Sequence, residues 1–329
     1  MINLSYSSFG NKKRHAYQIF LCSCIVISIY SSGQFHRISF IDAEKSAKEV
    51  AAKLNHDTSL IEPNDSSRKT FSFYYDLQRT KYPSRIEGYD IIKTHDVDST
   101  EGAGIFSLVI SRNDSIKFRT GIGVDDSNYV TYVLFPLLPN GRKQVIVEEY
   151  TGGAHCCRMY WILDLADTVT VLYHSDETET EVGFISEVAD FDNDGFYEFT
   201  QGLNSFHYFE NLGGPGSPWP LAVLKFSVDK RCFVLANRDF PAIVLRDIED
   251  KESEVQELLD TTKVFDYDAS SDLLSETLDV LLRYVYVGQD SIGWAYFNKN
   301  YVLSDSLKMR KKIQDVLETS TVYKQLYHR

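Results

Sequence analysis

The hydrophobic and polar positions follow three regimes along the chain. From Ile105 to Val228, short runs rich in β-branched and aromatic residues recur at regular spacing: Ile105–Ser111, Ser115–Thr120, Tyr129–Phe135, Gln144–Tyr150, Arg158–Leu163, Val169–His174, Gly183–Ala189, Phe196–Thr200 and Leu221–Val228. Such runs, bounded by turn residues, predict the strands of an antiparallel β domain, a sandwich or a propeller. Arg112-Asn113-Asp114 and Pro139-Asn140-Gly141 predict hairpin turns, because Asn, Asp and Gly tolerate the positive φ of a tight reversal.

After Pro241 the period becomes helical. Leu274, Leu278, Leu281 and Val285 share one face, Trp294, Phe297 and Tyr301 a second, and Ile313, Val316, Leu317 and Ser320 a third. Three or four helices are expected, with breaks at Gly288-Gln289-Asp290 and Leu303-Ser304-Asp305. Burial alone produces stripes of this period, so these aromatics read as core. Near the other end, Ala43, Ala47, Val50, Ala51 and Leu54 predict a short helix over Ile41–Leu54, whereas Phe71 to Tyr89 is mixed and predicts no element.

The first 33 residues form the third regime. Lys12, Lys13, Arg14 and His15 precede an apolar run from Ala16 to Tyr30, and Ser31-Ser32-Gly33 follows. A basic segment, a short apolar stretch and small residues, in that order, describe an export signal cleaved before Gln34. Two alternatives are an uncleaved N-terminal anchor and lipidation at Cys24 within Leu21-Cys22-Ser23-Cys24. The expected layout is therefore a signal peptide over 1–33, a helix and mixed segment over 34–89, a β domain over 90–242 and a helical region over 243–329. No other run is long and apolar enough to cross a bilayer.

The 329 residues, 43% hydrophobic and 13% aromatic, have a globular composition. The formal charge of −13 falls to −16 once the signal is removed, since three of the 34 basic residues and none of the 47 acidic ones leave with it. An acidic chain without a basic aromatic cluster excludes nucleic acid as an expected partner.

Asp190-Phe191-Asp192-Asn193-Asp194-Gly195-Phe196-Tyr197-Glu198 changes the picture from fold to chemistry. A calcium ion takes about six to eight oxygens, and carboxylates at loop positions 1, 3 and 5 converge on it when the chain turns sharply at position 6. Gly195 supplies that turn, the carbonyl of Phe196 a further oxygen, and Glu198 a closing carboxylate. An EF-hand would place a glutamate at position 12, here Gln201, between two helices; this loop lies between strands. In that it resembles the calcium loops of FG-GAP and VCBS repeats, the blades of integrin-type β-propellers. The resemblance implies a bound Ca2+ held by Asp190, Asp192, Asp194, Phe196 and Glu198, and a partial or diverged propeller. A non-propeller β fold carrying the same loop is the alternative. Asp266-Tyr267-Asp268-Ala269-Ser270-Ser271-Asp272 has similar spacing but lacks the glycine and leads into a helical pattern.

A second motif, Tyr150-Thr-Gly-Gly-Ala-His155-Cys156-Cys157, stands between two predicted strands. With the Asp-rich loop, Ser205–Phe209, Gly216–Pro220 and the helical C-terminus, it resembles a set of uncharacterised exported bacterial proteins, a likeness that implies a layout but no activity. Three chemical readings remain open for it. After export Cys156, Cys157 and Cys232 remain, so a disulfide from Cys232 to Cys156 or Cys157 is expected in an oxidising compartment. His155 with a cysteine could instead hold a transition metal, or activate Cys156 as a nucleophile, although neighbours on a strand point to opposite faces.

Two functions follow as expectations. One is an exported, calcium-stabilised binding or interaction module that presents the aromatics of Ser205–Glu210 and Pro218–Pro220 to a glycan or protein partner. The other is a secreted hydrolase using His155 and nearby carboxylates or Cys156. The carboxylates with the clearest geometry are already committed to a cation, which favours the first.

Overall fold

A computed structural model describes residues 70–71, 85–97, 104–123, 129–150, 158–178 and 182–327. The segment 1–33 expected as an export signal, the helix expected over Ile41–Leu54, and His155, Cys156 and Cys157 lie outside the described residues.

The chain is mainly β, with a helical C-terminal part. Three four-stranded antiparallel meanders follow one another: β2 (Arg85–Ile86), β3 (Tyr89–Val97), β4 (Gly104–Arg112) and β5 (Ser115–Gly123); β6 (Tyr129–Phe135), β7 (Gln144–Tyr150), β8 (Arg158–Leu165) and β9 (Val169–His174); then β10 (Val182–Ala189), β11 (Glu198–Leu203), β12 (Leu221–Ser227) and β13 (Cys232–Leu235). The pair Val182↔Arg158 joins the second meander to the third, and the short β1 (Thr70–Phe71) adds to β10, giving one open nine-stranded sheet beside the open four-stranded one. The β4–β5 hairpin turns at Asn113 and Asp114, both at positive φ (52° and 57°), as their chemistry predicts.

The middle meander is buried on both faces. Tyr132, Leu134, Val145, Val147, Leu163 and Leu165 pack with Tyr89, Ile91, Leu108 and Ile110 of the first. The alternate positions Val133, Phe135, Ile146, Tyr160 and Ile162 join Ile185, Val188, Phe199, Leu224 and Phe233 of the third. The period of two thus sends successive residues into different cores. This is why Gln144–Tyr150 is buried at every position but the last, the polar Gln144, Glu148 and Glu149 included.

The helices are α1 (Pro241–Val244), α2 (Ile248–Thr261), α3 (Tyr267–Tyr286), α4 (Asp290–Asn300), α5 (Ser306–Thr319) and α6 (Thr321–Tyr327), with breaks where Gly288-Gln289-Asp290 and Leu303-Ser304-Asp305 place them. Leu274, Leu278, Leu281 and Val285 of α3 share the core of the third meander. No helix among the described residues is long and apolar enough to cross a membrane.

Several elements escape the sequence pattern or depart from its bounds. Strand β3 carries charges at Asp90 and Lys93 that break its alternation. Strands β2 and β13 are only two and four residues long. Helix α2 is acidic and surface-lying, with Val255 its one fully buried residue, so its apolar stripe is faint. Strand β11 begins at Glu198 rather than Phe196, because Phe196 and Tyr197 belong to the loop before it.

Candidate metal centre

Strands β10 and β11 pair from Ala189↔Glu198 onward, so residues 190–197 form the tip of a hairpin. Aromatic side chains fasten that tip to the body of the fold. Phe191 meets Phe240 edge-on at 5.9 Å, Phe196 stacks on Phe226 at 5.6 Å, and Tyr197 meets Phe135 edge-on at 5.1 Å. The amide of Tyr197 also donates to the Leu137 carbonyl at 2.9 Å. With its apolar residues turned inward, the tip presents its aspartates outward.

Backbone amides hold those aspartates. Asp190 Oδ1 accepts from the amide of Asp194 (3.0 Å) and Oδ2 from that of Gly195 (3.1 Å); Asp192 Oδ1 accepts from Asp194 (3.3 Å), and Asp194 Oδ1 from Phe196 (2.9 Å). Asn193 (φ 61°) and Gly195 (φ 90°) take the left-handed conformations that curl the chain toward its own carboxylates. One oxygen from each of Asp190, Asp192 and Asp194 lies within 4.8 Å of the others, a group of hard oxygen donors able to hold a metal ion.

Glu198 belongs to the same hairpin but sits in a different environment. It is fully buried, its Oε2 accepts from the Phe191 amide at 2.9 Å, and its Oε1 has no hydrogen-bond partner. Burial pushes its pKa up to about 7. The Phe191 amide and Lys225 oppose the rise, and the charges of Asp192 and Asp194 add to it. An unpartnered oxygen on a buried carboxylate beside an acidic triplet suits a cation and is costly without one.

Lys225 of β12 is the residue that sequence reasoning missed. Its ammonium bridges Asp192 Oδ2 and Asp194 Oδ2, the second at 2.8 Å, and lies over the Phe240 ring at 5.8 Å. Hydrogen bonds to Asp192 and then Asp194 hold it well above the ordinary lysine value. Asp194 is in turn lowered: burial raises it, but the Lys225 hydrogen bond and the Phe196 amide outweigh burial. No local signal marks Lys225, because the β11–β12 register that sets Phe199 beside Leu224 brings it to the loop across 33 positions of sequence.

A second polar cluster lies on β7, β8 and β9. On one face of the sheet the Tyr160 hydroxyl donates to Glu148 Oε2 at 2.5 Å, and Arg158 lies 3.6 Å from that oxygen and 3.6 Å above the Phe184 ring. On the other face Trp161 stacks on His174 at 3.6 Å, and His174 Nδ1 faces Asp176 Oδ2 at 3.4 Å. Glu149 shares that second face and is buried. Burial pushes its pKa up to about 7; the Trp161 indole favours its ionised form without closing a regular hydrogen bond, and Asp176 opposes ionisation. Glu149 Oε1, Trp161 Nε1 and His174 Nε2 have no hydrogen-bond partner.

The remaining expectations divide. Cys232, half-buried on β13, lines a cavity of about 710 Å³ with Tyr173, Asn237, Arg238 and Leu326, while its expected disulfide partners fall outside the described residues. The aromatic loops mostly fill the core: Phe206 is fully buried, Phe209 and Pro218 are buried, and Trp219 packs within 3 Å of the place a Cβ on Gly183 would occupy. Tyr208 alone among these aromatics is largely exposed. Asp266 is a helix cap, its Oδ1 accepting from the Ala269 amide at 3.0 Å at the start of α3. No family model, curated protein or solved structure matches the chain.

Proposed function

We propose that this chain is an exported calcium-binding β protein that acts as a binding or interaction module, with Asp190–Glu198 as its calcium loop. The observation that carries the reading is the convergence of the Asp190, Asp192 and Asp194 oxygens in a hairpin that also holds buried Glu198, whose Oε1 has no partner. All are hard oxygens, the donor chemistry that suits calcium and magnesium rather than softer metals. A bound ion would supply charge neutralisation and tie both strands of the hairpin to one centre. The middle meander, buried on both faces by its neighbours, supports a propeller-like stack of blades. Export rests on the N-terminal order of basic, apolar and small residues.

A ligand that binds only the native state stabilises it by about 2.7 kcal/mol at a hundredfold excess over its dissociation constant. Thermal melting with calcium and with chelator should show that gain in the wild type, lose most of it in Asp190→Ala and keep it in Asp167→Ala. An unchanged wild-type midpoint after metal removal, with no calcium by elemental analysis, defeats the reading. N-terminal sequencing of the same protein, recovered from its natural host, should begin near Gln34; a soluble cytoplasmic chain that retains Met1 would remove the export claim.

The hydrolase alternative keeps one supporting observation, the unpartnered atoms of Glu149, Trp161 and His174. Hydrolysis of an ester or glycoside panel that disappears in Glu149→Gln would favour it over the interaction module.

A further inference from the structure

We propose that Lys225 is the resident cation of the Asp190–Glu198 loop and sets its metal affinity, so that calcium binds by displacing the lysine ammonium. The inference rests on the calcium reading above and adds what that ion must compete with.

The geometry leaves the ammonium and a divalent ion the same oxygens. In Asp192 and Asp194, each Oδ1 accepts from a backbone amide, and each Oδ2 accepts from Lys225. Both oxygens of Asp190 likewise accept amides. The carboxylate atoms of Asp192 and Asp194 that no amide holds are therefore the ones the lysine covers. A calcium ion drawing on them at about 2.3–2.6 Å would stand only a few ångströms from the ammonium, where a double and a single positive charge repel strongly. One of the two must leave.

The loop's charge explains why a lysine belongs there and why it can be displaced. Asp190, Asp192 and Asp194 gather three carboxylates at the hairpin tip, with buried Glu198 at its base feeling the charges of Asp192 and Asp194, and a single ammonium offsets one charge. Lys225 contacts two aspartates and leaves Glu198 Oε1 unpartnered. The lysine thus stabilises the metal-free loop without completing it, whereas a dication that reaches Glu198 as well would complete it. It follows that a monovalent ion, which adds no charge beyond the ammonium's, exchanges poorly, and that the loop fills only where calcium is abundant. The ammonium lies over the ring of Phe240, which also packs on Phe191 of the loop, so its release would be felt on that aromatic contact.

The test is calcium titration calorimetry on the full chain, after chelator treatment, of the wild type, Lys225→Met and Lys230→Met. Methionine keeps an apolar stem and removes the charge. Lys230 lies in the turn between β12 and β13 and controls for loss of any one positive charge. Calcium should bind Lys225→Met about tenfold more tightly than the wild type, with Lys230→Met near the wild-type value. A second readout needs no variant: acylation of surface amines followed by peptide mass spectrometry should find Lys225 protected in chelator and several-fold more reactive in saturating calcium. Calcium binding by the wild type with neither tighter binding in Lys225→Met nor a change in Lys225 reactivity overturns the displacement and leaves the calcium site standing. Binding by Lys225→Met alone upholds the competition and shows that the lysine wins it in the wild type. Binding by no variant removes the calcium reading, and the displacement with it.

Discussion

Glu149 on β7 and Glu198 on β11 make an informative pair. Each is almost completely buried, each has its pKa pushed to about 7 chiefly by burial, and each leaves Oε1 without a hydrogen-bond partner. Their neighbours differ in kind. Glu198 faces two aspartates and a lysine ammonium, so its surroundings carry an excess of negative charge that a cation relieves. Glu149 has the Trp161 indole for company and feels one aspartate, Asp176, so a proton or a neutral donor satisfies it. A raised carboxylate pKa therefore reports burial in both places, and the charge of the second carboxylate's company is what points to a metal.

Glutamine at each position separates the two environments. Glu198→Gln keeps an acceptor for the Phe191 amide but removes a charge from the loop, and should cut the calcium-dependent stabilisation by about 2 kcal/mol. Glu149→Gln should leave that stabilisation whole, and equal losses in both variants would mean that calcium acts on the fold generally. Glu149→Gln should instead change how stability depends on pH. The folded pKa of Glu149 lies near 7, above the ordinary glutamate value of 4.5, so between those values the native state holds a proton that the unfolded chain has released. The wild type consequently loses stability as pH rises from 4.5 through 7, while the glutamine variant is spared this. The gap between them should widen by on the order of 1–2 kcal/mol from pH 5 to pH 8 in chelator, as measured by denaturant unfolding. A constant gap would show that Glu149 ionises as freely in the fold as in the open chain.

The sequence carried the fold further than it carried the site. Tyr129–Phe135, Gln144–Tyr150 and Val169–His174 match their strands residue for residue, because in each a dense β-branched or aromatic run ends at clear turn residues. The loop aspartates were equally legible, since alternate carboxylates and a glycine are a local arrangement. Lys225 was not, because only sheet register brings it to Asp192 and Asp194, and register is a property of two strands at once. The polar cluster around Glu149 was hidden for the same reason: Trp161 meets His174 across the β8–β9 pair, and neither residue signals its partner in one dimension. The aromatics of Ser205–Glu210 were legible as apolar but not as inward, since composition does not tell a presented Phe from a buried one.

The smallest expected effect concerns the second Asp-rich string, and it sharpens the contrast between a metal loop and a helix start. Asp266 precedes α3 with extended backbone and its Oδ1 accepts the Ala269 amide, which satisfies one of the otherwise unpaired donors of the first turn. The carboxylate also stands at the positive end of the helix dipole. Asp266→Ala should therefore cost about 1 kcal/mol of stability, Asp266→Asn less because an amide oxygen still caps, and both losses should be the same in calcium and in chelator. Paired melts of the two variants under both conditions measure this directly. A loss that appears only in calcium would mean that Asp266–Asp272 holds an ion without a glycine turn, and that alternate aspartates alone suffice in this chain.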